Sequence, residues 1–260
     1  MKHALLGKIA IAATIVFLIG VCGTIAFGFQ KSIFQWDFTT PKTKVVSLDE
    51  ANTKKETVGL EGAKSADVDI YLGAGTLDLS GDSEPLMTGT FTYNKALKPL
   101  VKYDVKGHQG HLKIHQTDPP FKVRLGDNKF NRWKIQLNKD VPLNLSVRSG
   151  AAKSTLNLAG LRLRHFRANL DVGESTIDLR GNWKNSFDVD ISAGVGKTTI
   201  LLPRNTGVEV KVEQSLSKVT TSGLKKLGDR YYNQAYDTSK IQIKIDMAMD
   251  VGKALLKVGD

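Results

Sequence analysis

A short unit recurs five times in the C-terminal part of this 260-residue chain, and it constrains the fold more than any other feature. The unit is a turn residue, a few small polar residues, and then two apolar residues separated by one position. Another stretch of alternating apolar residues precedes each turn. The five copies are Gly73–Gly81, Ala152–Gly160, Gly173–Gly181, Gly196–Arg204 and Gly252–Asp260.

This pattern predicts strands whose apolar faces are too small to be buried singly. Glycine at the turn permits the positive φ of a sharp corner. The three central copies begin 21 and 23 residues apart (152, 173 and 196), which suits successive coils that stack and bury a continuous core. We therefore predict that residues 59–260 form an all-β domain, a single-stranded right-handed β-solenoid, with a β-sandwich as the alternative. No 3.6-residue periodicity follows residue 32, so we expect little or no helix in this domain.

Two insertions interrupt the predicted repeats. Residues 82–144 contain a predicted hairpin in which Leu100–Lys106 pairs with His111–Gln116, with its turn at residues 107–110. Residues 205–240 contain a predicted strand, Val208–Val212, followed by a polar loop with tyrosines.

The N-terminal segment, residues 1–31, predicts a membrane anchor. Ile9–Phe29 carries no charge over 21 residues, or about 31 Å as a helix, enough to cross the hydrocarbon core of a bilayer. A cleaved signal peptide and a lipoprotein modified at Cys22 are the alternatives. Phe34 and Trp36 are predicted at the membrane interface, and residues 32–58 are interpreted as a juxtamembrane stalk.

The orientation of this single-pass anchor follows from its short N-terminal tail. Lysines flank both ends of the apolar run in nearly equal number, so the positive-inside rule decides little. A tail of eight residues favours an N-terminus inside the cell. We therefore expect the β domain to be extracytoplasmic on a cell membrane.

The formal net charge of +11 suggests an anionic partner. Two segments, Phe121–Lys134 and Arg162–Arg167, are rich in cations. Phe121–Lys134 also carries aromatic residues, which suit contact with a lipid or polymer surface. Nucleic acid is not expected as a partner, because it conflicts with an extracytoplasmic location. The candidate residues for binding an anionic surface are Lys122, Arg124, Lys129, Arg132, Arg162, Arg164 and Arg167.

No set of residues predicts catalysis, a cofactor or a metal. Ser192–Thr199 looks like a phosphate-binding loop, but Ile191 stands where its first glycine belongs and a strand follows it. His111 and His115 would lie about 13 Å apart on one strand, too far to bind one ion. No nucleophile–base set or pair of carboxylates stands out, so we predict that the protein is not an enzyme.

The order YLGAGTLDLSG, LSVRSGAAKSTLNLAG, LDVGESTIDLRG, ISAGVGKTTILLP and GVEVKVE resembles the toastrack domain of bacterial "putative adhesin" and cell-wall-active-antibiotic (envelope-stress) response proteins. The resemblance covers roughly residues 59–260 and implies a cell-envelope location, typically in a Gram-positive bacterium. The stress regulators of that family carry several transmembrane helices, whereas this chain has one candidate. We therefore predict a non-catalytic, membrane-anchored envelope protein that presents a basic β-solenoid to anionic wall polymer or lipid in adhesion or envelope-stress response. The alternative is a regulatory partner of a membrane sensor protein.

Overall fold

The computed structural model describes residues 51–117 and 131–259. In this part the fold is all-β, and its one helical element is the three-residue 3₁₀ turn Lys95–Leu97. The strands are β1 (Ala51–Val58), β2 (Ser65–Ser83), β3 (Met87–Asn94), β4 (Pro99–Lys106), β5 (Gln109–Gln116), β6 (Arg132–Asn138), β7 (Leu143–Asn157), β8 (Leu163–Asp178), β9 (Phe187–Pro203), β10 (Gly207–Ser222), β11 (Lys225–Leu227), β12 (Arg230–Tyr232) and β13 (Gln242–Gly259).

Several sequence predictions lie outside the described residues. They are the anchor Ile9–Phe29, the interface residues Phe34 and Trp36, and the candidate cations Lys122, Arg124 and Lys129. Across residues 51–117 and 131–259, no helix has the length and apolar character needed to span a membrane.

Six long strands lie side by side in the order β2–β7–β8–β9–β13–β10, and every neighbouring pair is parallel. Phe166 of β8 pairs with Leu145 of β7 and with Val189 of β9, which are 21 and 23 residues away. The predicted repeat spacing is therefore confirmed. Parallel strands stacked in register are typical of the coils of a solenoid, whereas the sheets of a β-sandwich are antiparallel.

A column of small residues marks a sharp corner in each coil. In register these are Gly75, Ala152, Gly173, Gly196 and Gly252. All four glycines have φ between +135° and +144°, and a Cβ on Gly196 would lie 1.9 Å from the carbonyl oxygen of Gly173. Only glycine accepts both this backbone and this contact.

The predicted alignment of the first copy of the repeat was wrong by two residues. The sequence alignment placed Gly73 at the corner, but Gly75 is paired with Ala152 and carries the positive φ of +138°. A Cβ on Gly75 would lie 2.2 Å from the carbonyl oxygen of Asn131, so the close backbone contact occurs there. The run Gly73-Ala-Gly75 offers two glycines, and apolar alternation alone does not choose between them.

The core lies between the two arms of each coil, since inward residues on both sides of the corner are buried together. Phe91 and Trp133 close one end of this core, with ring centroids 5.4 Å apart in a T-shaped arrangement and no exposed surface. Aromatic pairs of this geometry contribute about 0.5–1.5 kcal/mol beyond their buried area.

Shorter strands cover the N-terminal end of the stack; β5 and β6 run parallel to β2, and the pairs β4–β5, β3–β6 and β1–β3 are antiparallel. β5 and β6 each pair with one half of β2, and β4 pairs with β5 in the predicted hairpin, which is confirmed. β3 pairs with β6, and β1 pairs with β3. Residues 51–58, assigned to the stalk from sequence, thus form β1; its polar side chains gave no apolar alternation to detect.

The C-terminal end of the stack contains a coil that the sequence interpretation missed. Residues 205–240 were interpreted as an insertion, yet β10 extends over Gly207–Ser222 as the last long strand. β13 comes later in the chain but lies between β9 and β10. Asn233 fastens the following loop, because its buried side chain donates to the carbonyls of Pro203 and Thr206 and accepts from the Val208 N–H.

Candidate functional site

A row of cations follows the corner along the outer surface of the stack. The position directly after the corner position is in register across seven strands. We call its five basic members the cation row; in spatial order they are Arg132, Lys153, Lys197, Lys253 and Lys218. Thr76 lies between the first two, and Glu174 lies between Lys153 and Lys197.

The cation row is dense, and Glu174 is the one acidic residue in register with it among the described strands. Neighbouring strands lie about 4.8 Å apart, so the row extends over about 29 Å. All five side chains are exposed, and none has an ion pair or hydrogen bond within residues 51–117 and 131–259. Lys197, Lys253 and Lys218 occupy three successive strands. Like charges on facing positions of a sheet are destabilising, so this arrangement costs folding energy that a bound anion would recover.

Cations on the arm before the corner are arranged differently. Arg148 contacts Asp69 at 3.1 Å, and Arg167 contacts Asp190 at 3.1 Å. Lys211 contacts Glu213 at 2.8 Å. On that arm the basic side chains have acidic neighbours, so its capacity to attract an anion is lower than that of the cation row.

An exposed apolar line runs beside the cation row. We call it the apolar ridge; its members in register are Ala151, Val172, Val195, Val251 and Leu216. Each occupies the position just before the small residue of the corner. The exposed fractions are 53% for Val172, 52% for Val195, 43% for Val251 and 80% for Leu216.

The structure separates the candidate cations that it describes. Arg132 belongs to the cation row, whereas Arg167 is paired with Asp190. Arg162 and Arg164 are exposed at the start of β8, nine or more residues before the corner at Gly173. The four described members of the predicted set therefore lie in different places, and the set as a whole stays a prediction.

Arg162 instead lines a second basic feature. With Lys139 and Lys184 it borders a cleft of about 600 Å³ that also contains Asp140 and Trp183. The indole N–H of Trp183 donates to the carbonyl of Leu179 at 2.7 Å, so this ring is fixed by the fold.

Four lysines of the cation row were missed from sequence, and a signal for them was present. Lys153, Lys197 and Lys253 directly follow the turn residue in three of the five aligned copies of the repeat. Scoring charge within that alignment would have found them. Lys218 was missed because its segment was interpreted as an insertion and was not aligned.

Within residues 51–117 and 131–259, no three His, Cys, Asp or Glu side chains are placed to hold a metal ion. His111 contacts Asp67 at 3.3 Å. Ser192–Thr199, with its likeness to a phosphate loop, lies within strand β9, and Gly196 is a corner residue.

A tyrosine-lined cleft of about 670 Å³ lies beside β11 and β12. Tyr236 donates a 2.6 Å hydrogen bond to Glu209, which also binds Arg230, and this hydrogen bond raises the pKa of Tyr236 to about 12. The phenol therefore stays protonated at neutral pH. Its role is to hold the loop onto β10.

With this geometry established, the decisive comparison is with known families. The family described as "N-terminal domain of toast_rack, DUF2154" matches residues 47–201, more than half of the chain. The chain belongs to the toast-rack family. The toast-rack match spans β1 to most of β9, and therefore includes Lys153 and Lys197 of the cation row.

One solved structure with a similar fold is consistent with the toast-rack assignment. A "putative cell adhesion protein" from Clostridium sporogenes is 30% identical, with a TM-score of 0.77 over 81% of this chain and 100% of that chain. A "putative adhesin" from Bacteroides fragilis is 15% identical over 80% of this chain and 97% of that one, with a TM-score of 0.33. No curated protein matches this toast-rack chain in sequence.

Proposed function

We propose that this toast-rack protein is a non-catalytic, membrane-anchored adhesion protein of the cell envelope, and that its cation row binds an anionic wall polymer or lipid head groups. The observation that carries the proposal is the line of five cations over about 29 Å, interrupted by Thr76 and Glu174; the five cations have no ion-pair partner among the described residues. The cell-adhesion description of the Clostridium sporogenes relative supports the adhesion role.

The spacing of the cations explains why the partner should be an extended polyanion. Strand neighbours are about 4.8 Å apart, which is less than the Debye length of about 8 Å at physiological ionic strength. Adjacent lysines therefore act on a ligand together. A polymer or a lipid surface presents many anionic groups along a line, whereas a single small anion neutralises one or two members of the row.

The test is co-sedimentation of the full chain, held in neutral nanodiscs, with isolated cell walls and with phosphatidylglycerol vesicles across a salt series. The variant replaces three adjacent lysines: Lys197→Gln, Lys253→Gln and Lys218→Gln. Each basic residue near an anionic surface contributes about 1 kcal/mol, so the triple variant should lose about 3 kcal/mol, or about 100-fold in affinity. Binding of the wild type should also fall steeply as salt rises.

The matched control removes the same charge from the other arm: Arg148→Gln, Arg167→Gln and Lys211→Gln. These cations contact carboxylates, so their loss should weaken binding far less than loss of the three lysines. Equal losses in the two triple variants would show that net charge, not the cation row, governs binding. Absence of wild-type sedimentation at low salt would contradict the proposal and favour the alternative, a regulatory partner of a membrane sensor, to be sought by crosslinking.

A further inference from the structure

The apolar ridge is not a random scatter of exposed apolar side chains. Five large apolar side chains are exposed in the described part of the chain, and four of them lie in the ridge: Val172, Val195, Val251 and Leu216. They occupy successive strands, so they form one contiguous line of about 15 Å. Contiguous exposed apolar surface usually marks an interaction site, whereas isolated exposed residues do not.

The ridge and the cation row are coupled by the repeat itself. In four of the five coils a lysine stands two residues after the ridge residue, as in Val195/Lys197 and Val251/Lys253. Both arms bury their inner faces in one core, so the corner between them is convex and the ridge projects from it. The result is an apolar line with a parallel line of ammonium groups beside it.

We infer that this corner docks on an anionic lipid surface, with the apolar ridge entering the head-group region and the cation row contacting lipid phosphates. The inference rests on the proposed function and narrows its two ligand classes to lipid. An interfacial segment combines apolar side chains in the acyl boundary with basic side chains at the head groups, and lysine stems can lie along apolar surface while their charges remain in water. A hydrated wall polymer offers charge but no apolar phase, so it would leave the ridge exposed.

The test measures how the wild type and variants of the apolar ridge bind to lipid vesicles and to cell walls. The full chain in neutral nanodiscs is mixed with vesicles containing phosphatidylglycerol, with phosphatidylcholine vesicles, and with isolated cell walls. The variant combines Val172→Ser, Val195→Ser and Val251→Ser. Its affinity for phosphatidylglycerol vesicles should fall at least about tenfold because less apolar area is transferred, while wall binding should stay unchanged. The corresponding Val→Leu triple variant should bind these vesicles more tightly.

A matched control and a local probe test whether the apolar ridge itself contacts the vesicles. Leu227→Ser removes the exposed apolar side chain outside the ridge and should leave vesicle binding unchanged. In a Cys22→Ser background, a fluorophore on Val195→Cys should shift to the blue with phosphatidylglycerol vesicles and not with cell walls. Far-UV circular dichroism and thermal unfolding verify that each variant is folded.

The outcomes separate this inference from the proposed function. Wall binding without vesicle binding, or vesicle binding that the ridge variant retains, would overturn the lipid assignment and leave the polyanion proposal standing. Failure of the wild type to bind either partner would overturn both. Crosslinking through the ridge to a membrane protein, without vesicle binding, would show that the ridge is a protein interface instead.

Discussion

Replacing the corner glycine Gly196 with alanine should destabilise the domain by about 2–5 kcal/mol. Two costs contribute. At φ +144° an L-residue is strained by about 1–3 kcal/mol. In addition, the new Cβ would lie 1.9 Å from the carbonyl oxygen of Gly173, whereas contacts below 3.0 Å essentially do not occur. The strand must therefore move by about 1 Å, which disturbs one or two ladder hydrogen bonds of about 1 kcal/mol each.

Two other glycines separate these costs. Gly160 has φ +80° but open space around its Cβ position, so Gly160→Ala isolates backbone strain and should cost about 1 kcal/mol. Gly59 has neither a positive φ nor a neighbour within 4 Å, so Gly59→Ala should change the unfolding free energy by less than about 0.5 kcal/mol.

The measurement is urea unfolding of the compact unit Thr43–Asp260, followed by circular dichroism. A domain with a total stability of about 5–15 kcal/mol should show a clearly lower midpoint for Gly196→Ala. If Gly196→Ala and Gly160→Ala proved equally destabilising, the close contact between coils would contribute nothing, and the account of the corner would be refuted.

Three further predictions use the same unfolding assay. Asn233→Ala should cost about 2–3 kcal/mol, because it removes three hydrogen bonds of a buried amide; a loss below about 1 kcal/mol would contradict its role in fastening the loop. Tyr236 has a folded pKa of about 12 against 10.0 unfolded, so its contribution is complete below pH 10 and is lost between pH 10 and about 12; Tyr236→Phe should show a smaller loss over that range than the wild type. Arg148→Gln should change stability by less than about 1 kcal/mol, since its exposed pair with Asp69 is screened by solvent, and a larger effect would indicate an unrecognised contact.

Much of the fold could be predicted from sequence because the repeat encodes it directly. The glycine corner and the apolar pair after it recur at Gly173 and Gly196 with the register that the structure shows. The hairpin before residue 117 was predicted because its turn contains Gly107, which has φ +61°. In these cases the local chemistry and the tertiary structure specify the same arrangement.

The remaining features depend on contacts that a linear pattern does not contain. The choice between Gly73 and Gly75 depends on the carbonyl of Asn131, a residue 56 positions away. β10 looked like an insertion because polar residues, Gln214 and Thr221, stand in register with the buried Met249 and Leu256 of β13, as expected for a strand with only one neighbour over that stretch. The pairing of Arg167 with Asp190 comes from stacking of adjacent coils.

The cation row, too, was only partly visible in the sequence. Lysines that follow turn residues are visible in the sequence as separate residues, but their alignment into a single line follows from the parallel register of the coils. Cations clustered along the chain, such as Arg162 and Arg164, were predicted instead, because a sequence contains no proximity other than that along the chain.

The position of β13 has a consequence for how the domain is made. β13 follows β9 and β10 in the chain, yet it pairs along nearly its whole length with both of them. Until residues 242–259 are synthesised, β10 has no long strand to pair with, and the place between it and β9 is open by the width of one strand, about 10 Å between the two neighbours. Closure of the stack is therefore delayed until β13 has been synthesised, and a chain truncated before Gln242 would lose two interfaces at once and expose two strand edges to aggregation.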